Sequence, residues 1–183
     1  MASTLFQTLT RSLSPVTQAN LMMRTFSWTK VPMIYWTGAR IVEISDERCV
    51  VKIPFRRRNR NHLNSLYFAV FIVGADIAGG ILAFRMARTS GRKVSFAFKD
   101  VQAQFLKRAE GDTLFSCDDG ALISRAVEET FRTGERINQT VRVIATTPSK
   151  LGDEPVATFE LTLSVKAAIA NGDRGSDQTQ ATS

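Results

Sequence analysis

The stretch Leu66 to Phe84, LYFAVFIVGADIAGGILAF, restricts the possible folds more than any other part of the chain. It is apolar on every face of a helix, so it either crosses a membrane or is enclosed by the rest of the protein. A span needs about 20 apolar residues, but this one carries Asp76 at its middle. A carboxylate at the bilayer centre costs roughly 2.5 to 3.5 kcal/mol on insertion scales. Alternating strand patterns also follow at once, where a membrane protein would supply a loop and a second span. The segment is therefore expected to be a long core helix, beginning near Asn64, with a sheet around it. Gly74, Ala75, Ala78, Gly79 and Gly80 make one region of it thin. Each Gly costs about 1 kcal/mol of helix propensity relative to Ala, so close approach of a sheet, a partner or a ligand must compensate.

The flanking segments have the period of strands. Ile41 and Ile44, the polar turn SDER, then Cys49, Val51 and Ile53 predict a hairpin that ends at Pro54, a residue with no amide to donate. Val94, Phe96 and Phe98 alternate, and Val101, Ala103 and Phe105 continue with opposite parity, which predicts a β-bulge near Lys99 and Asp100. A strand through Cys117 is expected next. Asp118 or Asp119 is then expected to cap a second helix that stops at Gly134. Strands over 137–145 and 157–165 complete the pattern. Before the hairpin, Leu5, Leu9 and Leu13, then Leu21, Met22 and Phe26, are spaced as for two short amphipathic helices broken near Pro15. At 183 residues the chain suits one core. The division expected is an N-terminal helical extension (1–37), one α+β domain (38–168) and a disordered tail (169–183).

Cys49 and Cys117 lie in separate apolar runs and the single His is His62. A zinc cluster or disulfide framework therefore lacks its residues, and both cysteines read as reduced core residues of a cytoplasmic protein. The opening MASTLFQTLTRSLS has the Ser, Thr and Arg of an organellar transit peptide but no apolar stretch of secretory length. No metal and no cofactor is called for. A net charge of +7 favours anionic partners without choosing among phosphates, nucleic acid and acidic membranes. Nucleic-acid binding through Arg56 to Arg60 is disfavoured, because no aromatic and basic platform accompanies the run.

Asp76 is the first candidate for chemistry. A carboxylate in an apolar helix must be hydrogen-bonded, paired or protonated, and such groups are enriched at reaction centres. A general base, a ligand-recognition group and a structural acid all fit. Asn61, His62, Asn64 and Ser65 cluster before the helix, where they can orient a ligand, while Asn64 or Ser65 can equally cap its first turn. Arg56, Arg57 and Arg58 are of the type that grips phosphate through paired hydrogen bonds, and a solvated basic loop explains them as well.

The order of hairpin, long buried helix and strands, with Asn61 before the helix and Asp76 within it, resembles the hot-dog acyl-CoA thioesterases of the phenylacetyl-CoA type. The stretch NRNHLNSLYFAVFIVGADIAGG is more similar still to an associated domain family of unknown function, and FAFKDVQAQFLKRAEGD and GDEPVATFELTLSVK fit it too. The resemblance covers roughly Leu21 to Lys166. It implies an α+β hot-dog fold, an antiparallel sheet wrapped around one long central helix, with the N-terminal helices packed outside. It also implies a homodimer or dimer of dimers with shared sites, acting on or binding acyl-CoA. In those thioesterases an Asn, a His-Gly pair at the helix start and an acid two turns later form the site. Counted back from Asp76, the Asn falls on Asn61 and the His-Gly pair on Tyr67 and Phe68. The missing Gly matters, because its backbone amide would otherwise approach the thioester oxygen. Two readings follow: a thioesterase using Asp76 as base and Asn61 with amides from Tyr67 to Ala69 as oxygen donors, or a non-catalytic acyl-CoA or lipid-binding module.

Overall fold

The computed structural model describes residues 13–89 and 91–167. Six strands form one antiparallel sheet in the order β1-β2-β4-β5-β6-β3. They are β1 (Arg40–Ile44), β2 (Cys49–Ile53), β3 (Val94–Phe105), β4 (Thr113–Cys117), β5 (Arg136–Thr146) and β6 (Pro155–Ala167). The sheet wraps around the long helix α3 (Phe68–Thr89), and α1 (Pro15–Thr29) and α2 (Pro32–Thr37) precede β1. Helix α4 (Gly120–Thr133) and the short α5 (Pro148–Leu151) lie between strands.

Helix α3 is long and apolar enough to cross a membrane by length and composition. In this fold it is the core helix, with Ala75, Ala78, Leu82 and Ala83 fully enclosed. Its thin face is the packing surface. A Cβ on Gly74 would lie 2.5–2.7 Å from ring carbons of Phe115 on β4, so only glycine lets the helix rest on that ring. Phe115 belongs to an aromatic cluster with Phe71 and Phe159, at ring separations of 5.8 and 6.3 Å. Such pairs add about 0.5–1.5 kcal/mol each beyond the area they bury.

The bulge expected near Lys99 and Asp100 is present as a register shift between Phe98 and Asp100 against β6. The expected stop of α4 is also present: Gly134 has φ 72° and its amide bonds to the Thr130 carbonyl. Two local expectations are corrected. Helix α3 begins at Phe68, not near Asn64, because residues 60–66 close on themselves, with an isolated bridge from Arg60 to Leu66 and Asn64 in a left-handed conformation (φ 56°). The break expected near Pro15 is where α1 opens: Ser14 caps the helix and Pro15 stands at its first position, where the missing amide is harmless, and a second break at 30–31 separates α1 from α2. Leu5 and Leu9 lie outside the described residues, as does the expected tail beyond residue 167. Neither aspartate caps α4 with its side chain: Asp119 Oδ2 accepts the Arg142 amide at 2.6 Å and Asp118 pairs with Arg48.

The two sheet edges differ. At β1 the Asn20 side chain of α1 donates to the Ile41 carbonyl (2.7 Å) and accepts its amide (2.9 Å), so the extension is stitched over that edge. At β3 the residues from Lys99 onward are exposed, including Val101, Phe105 and Leu106. Cys49 and Cys117, distant in sequence, stand directly opposite on β2 and β4 as buried free thiols.

Candidate active site

Asp76 sits in the middle of α3, on the side that faces α1, α2 and β3. It lines two cavities. One, of about 210 Å³, is walled mainly by Met22, Met23, Phe26, Ile34, Phe84 and Phe98. The other, of about 350 Å³, reaches the bulge residues Lys99 and Asp100 and the exposed edge at Val101. Among the described residues no donor or cation partners the carboxylate. Burial alone raises its pKa above the ordinary carboxylate value, because the charged form loses hydration with nothing to replace it. Asp100, at the bulge, is different, since it accepts a hydrogen bond from Thr162 Oγ1 at 2.6 Å.

The remaining sequence candidates gather elsewhere. Asn61 organises its own loop: its Oδ1 accepts the amides of Leu63 (2.9 Å) and Ser65 (3.1 Å) and lies 3.3 Å from Ser65 Oγ. Its Nδ2 makes no bond among the described residues. Neither Asn64 nor Ser65 caps α3, because Ser65 is held by Asn61 and Asn64 Oδ1 accepts from Arg60 Nη1 at 3.1 Å. His62 is exposed on the same loop. Tyr67 and Phe68 form the mouth of the helix, half exposed and edge-to-face at 5.8 Å, with Phe68 also against Phe105 at the end of β3. The Tyr67 amide is taken by the Asn59 carbonyl at 2.8 Å. That leaves the amides of Phe68 and Ala69, at the first helical positions, without an intrahelical acceptor. Arg56 and Arg58 converge near Gly38, and Arg57 is exposed in the 3-10 turn Arg57–Asn59.

The helix start and Asp76 are therefore separate places. Eight residues at 1.5 Å rise put them roughly 12 Å apart along the axis, too far for one thioester carbonyl to meet both within one chain.

Two contributions escaped the sequence reading. Met22, Met23, Phe26 and Ile34 of the N-terminal helices build the wall opposite Asp76; their helical spacing was visible, but not the surface they face. Asn59 is fully buried and donates to the carbonyls of Thr37 and Pro54, both at 2.8 Å, tying α2 to the segment before the site. Within the run RRRNR nothing distinguished it from a solvated residue.

This sheet order around one central helix defines a hot-dog fold, and solved structures agree. A protein of unknown function from Chlorobaculum tepidum superimposes with a TM-score of 0.73 at 11% identity, covering 84% of this chain and 97% of that one. A thioesterase from Haemophilus influenzae gives 0.62 at 12% identity (88% and 97%). A mutant thioesterase from Pseudomonas aeruginosa gives 0.62 at 14% identity (86% and 98%). No curated protein matches the chain. Residues 20–165 match the family described as a domain of unknown function, DUF4442, and the chain belongs to that family.

Proposed function

We propose that the protein hydrolyses acyl-CoA thioesters, in the manner of the phenylacetyl-CoA branch of hot-dog thioesterases, with Asp76 as the general base. The observation that carries this reading is the unpaired carboxylate of Asp76 between two largely apolar cavities. A carboxylate held there with a raised pKa is a stronger base than one in water and lies where an acyl chain would be received. In the reaction, Asp76 takes a proton from water as the water oxygen attacks the thioester carbonyl. The C–S bond then breaks, and the proton returns from Asp76 to the leaving thiolate, so the products are a carboxylic acid and free CoA. Asn61, through its uncommitted Nδ2, and the amides of Phe68 and Ala69 are the proposed donors to the carbonyl oxygen. His62, Asn64, Ser65, Tyr67 and Phe68 would surround the thioester arm, and Arg56, Arg57 and Arg58 would meet the CoA phosphates.

The separation of roughly 12 Å along α3 makes a second copy part of this proposal. The open edge of β3 supports pairing with another β3, since a long exposed edge is otherwise a hazard for aggregation. A two-fold antiparallel pairing would lay the Phe105 end of one β3, with its helix mouth at Phe68, beside the bulge and Asp76 of the other. The site would then combine the carboxylate of one copy with the amides and Asn61 of its mate. We place the dimer in the cytoplasm, consistent with the two free thiols.

A specific observation favours a second reading, an acyl-CoA or lipid-binding module without turnover: Phe68 stands where these thioesterases have glycine. The test is release of free thiol from short, long and aromatic acyl-CoAs, run beside binding of a thioether analogue that cannot be hydrolysed. Turnover on any member supports hydrolysis. Tight analogue binding with no thiol release across the panel rejects hydrolysis in favour of the binding module.

A further inference from the structure

On the other side of Met23 and Ile34 from the Asp76 cavity, a cavity of about 380 Å³ opens between α1, the Ile34–Arg40 segment and the Arg56–Arg58 turn. Its size falls in the range of small-molecule sites, roughly 300–1,000 Å³. Arg24, Arg40, Arg56 and Arg58 all line it, and no Asp or Glu does. None of the four forms an ion pair among the described residues. Asp112, the carboxylate that Arg56 influences from outside the cavity, is already engaged by the Phe55 amide at 2.8 Å and by Lys52 at 3.2 Å.

The arginines are also positioned. Arg24 lies over the Tyr35 ring at 6.0 Å and Arg58 over the Trp36 ring at 5.7 Å. Contact with a ring face holds a guanidinium while leaving its N–H edge for an anion. Gly38 has φ 71°, and a Cβ there would lie 2.8 Å from Arg58 Nη2 and 3.8 Å from Arg56 Nη1. Two guanidinium heads thus converge on a point that a side chain would fill. Converging like charges repel, and a dianion between them turns that repulsion into paired, charge-assisted hydrogen bonds.

We propose that this cavity binds the phosphate monoester of an apolar-tailed ligand, held by Arg24, Arg40, Arg56 and Arg58, with the tail crossing Met23 and Ile34 toward Asp76. Two sources share this chemistry: the 3′-phosphate of CoA, a choice that rests on the acyl-CoA reading above, and the headgroup of a single-chain lipid phosphate. The phosphate site itself requires no catalysis by Asp76.

The test is calorimetric titration of the full chain at fixed low salt with CoA, 3′-dephospho-CoA and dodecyl phosphate. The proteins compared are wild type, the double variant Arg56→Gln/Arg58→Gln, and Arg108→Gln/Arg125→Gln, which removes equal charge elsewhere. The double variant should weaken binding of the phosphate ligand about ten-fold or more, as expected for losing charge-assisted hydrogen bonds. The charge control should stay within about three-fold, because its charges lie away from the cavity and are screened by salt. CoA binding tighter than 3′-dephospho-CoA assigns the phosphate to CoA; equal binding of those two with tighter dodecyl phosphate assigns it to a lipid. Should the double variant fail to fold by circular dichroism, Arg24→Gln on the exposed face of α1 takes its place. No binding of any phosphate ligand, or equal losses in the charge control, would overturn the site. Absence of thiol release from acyl-CoAs would not, so the two readings fail separately.

Discussion

Replacing Gly74 with alanine isolates the close approach of α3 to the sheet. The new methyl would sit 2.5–2.7 Å from three carbons of Phe115, a ring with no exposure that is boxed in by Phe71 and Phe159. Overpacking of this kind costs about 1–3 kcal/mol, and the enclosed ring puts Gly74→Ala toward the upper end. The helix returns about 1 kcal/mol of propensity, which leaves a net loss of about 1–2 kcal/mol. For a chain of this size each kcal/mol moves Tm by about 2–4 °C, so Tm should fall by about 2–8 °C. Gly80→Ala is the matched control, because its methyl would meet Phe98 at an ordinary 3.5 Å. It should keep the propensity gain and raise Tm by about 2–4 °C. Thermal denaturation followed by circular dichroism reads both. A Gly74→Ala protein as stable as wild type, or two variants shifting in the same direction, would refute the account of why the helix is thin.

Burial pushes the Cys49 thiol up to about 12 and the Cys117 thiol up to about 11. Both should stay unreactive toward a thiol reagent near pH 8 until the protein unfolds, and fast labelling of the native chain would contradict their enclosure. Because their folded pKa values exceed the unfolded value of 9.0, the stability they contribute is full below about pH 9 and lost as pH rises through 11 to 12. A Cys49→Ala/Cys117→Ala chain should show a smaller alkaline loss in a denaturation series over that window. Asp76 follows the same sign: its raised pKa favours the fold most below 3.8, and that contribution is lost as pH rises through the folded pKa. Asp76→Asn should therefore raise Tm at pH 7, with the gap closing toward pH 4; equal Tm values at neutral pH would show that the carboxylate is paired. Light scattering should find a dimer for wild type and a monomer for Val101→Arg/Phe105→Glu, and a monomeric wild type would remove β3 as the interface.

Much of the fold was legible because period and punctuation are local. The change of parity between Phe98 and Val101 located the bulge, and Gly134 marked the end of α4. The start of α3 was misplaced because Asn61 and Asn64 carry the chemistry of helix caps, yet the chain spends it on a turn before Tyr67. Asp118 and Asp119 were read as caps for the same reason, whereas tertiary partners, Arg48 and the Arg142 amide, claimed them. Of the candidate site, Asp76 was visible as a charge in an apolar run. Its surroundings were not, since the walls come from α1 and α2, some fifty residues earlier. The pairing of Cys49 with Cys117 across β2 and β4 was hidden in the same way, because register between distant strands is set by the assembled sheet.

We propose Asp76 as the base in thioester hydrolysis. The most direct test is the rate of thiol release from the preferred acyl-CoA by wild type and by Asp76→Asn, with thioether-analogue affinity measured on both. In Asp76→Asn kcat should fall by about 100-fold or more, the contribution typical of a positioned general base, while analogue affinity changes little. Turnover that survives in Asp76→Asn would contradict it and move the chemistry away from the core helix.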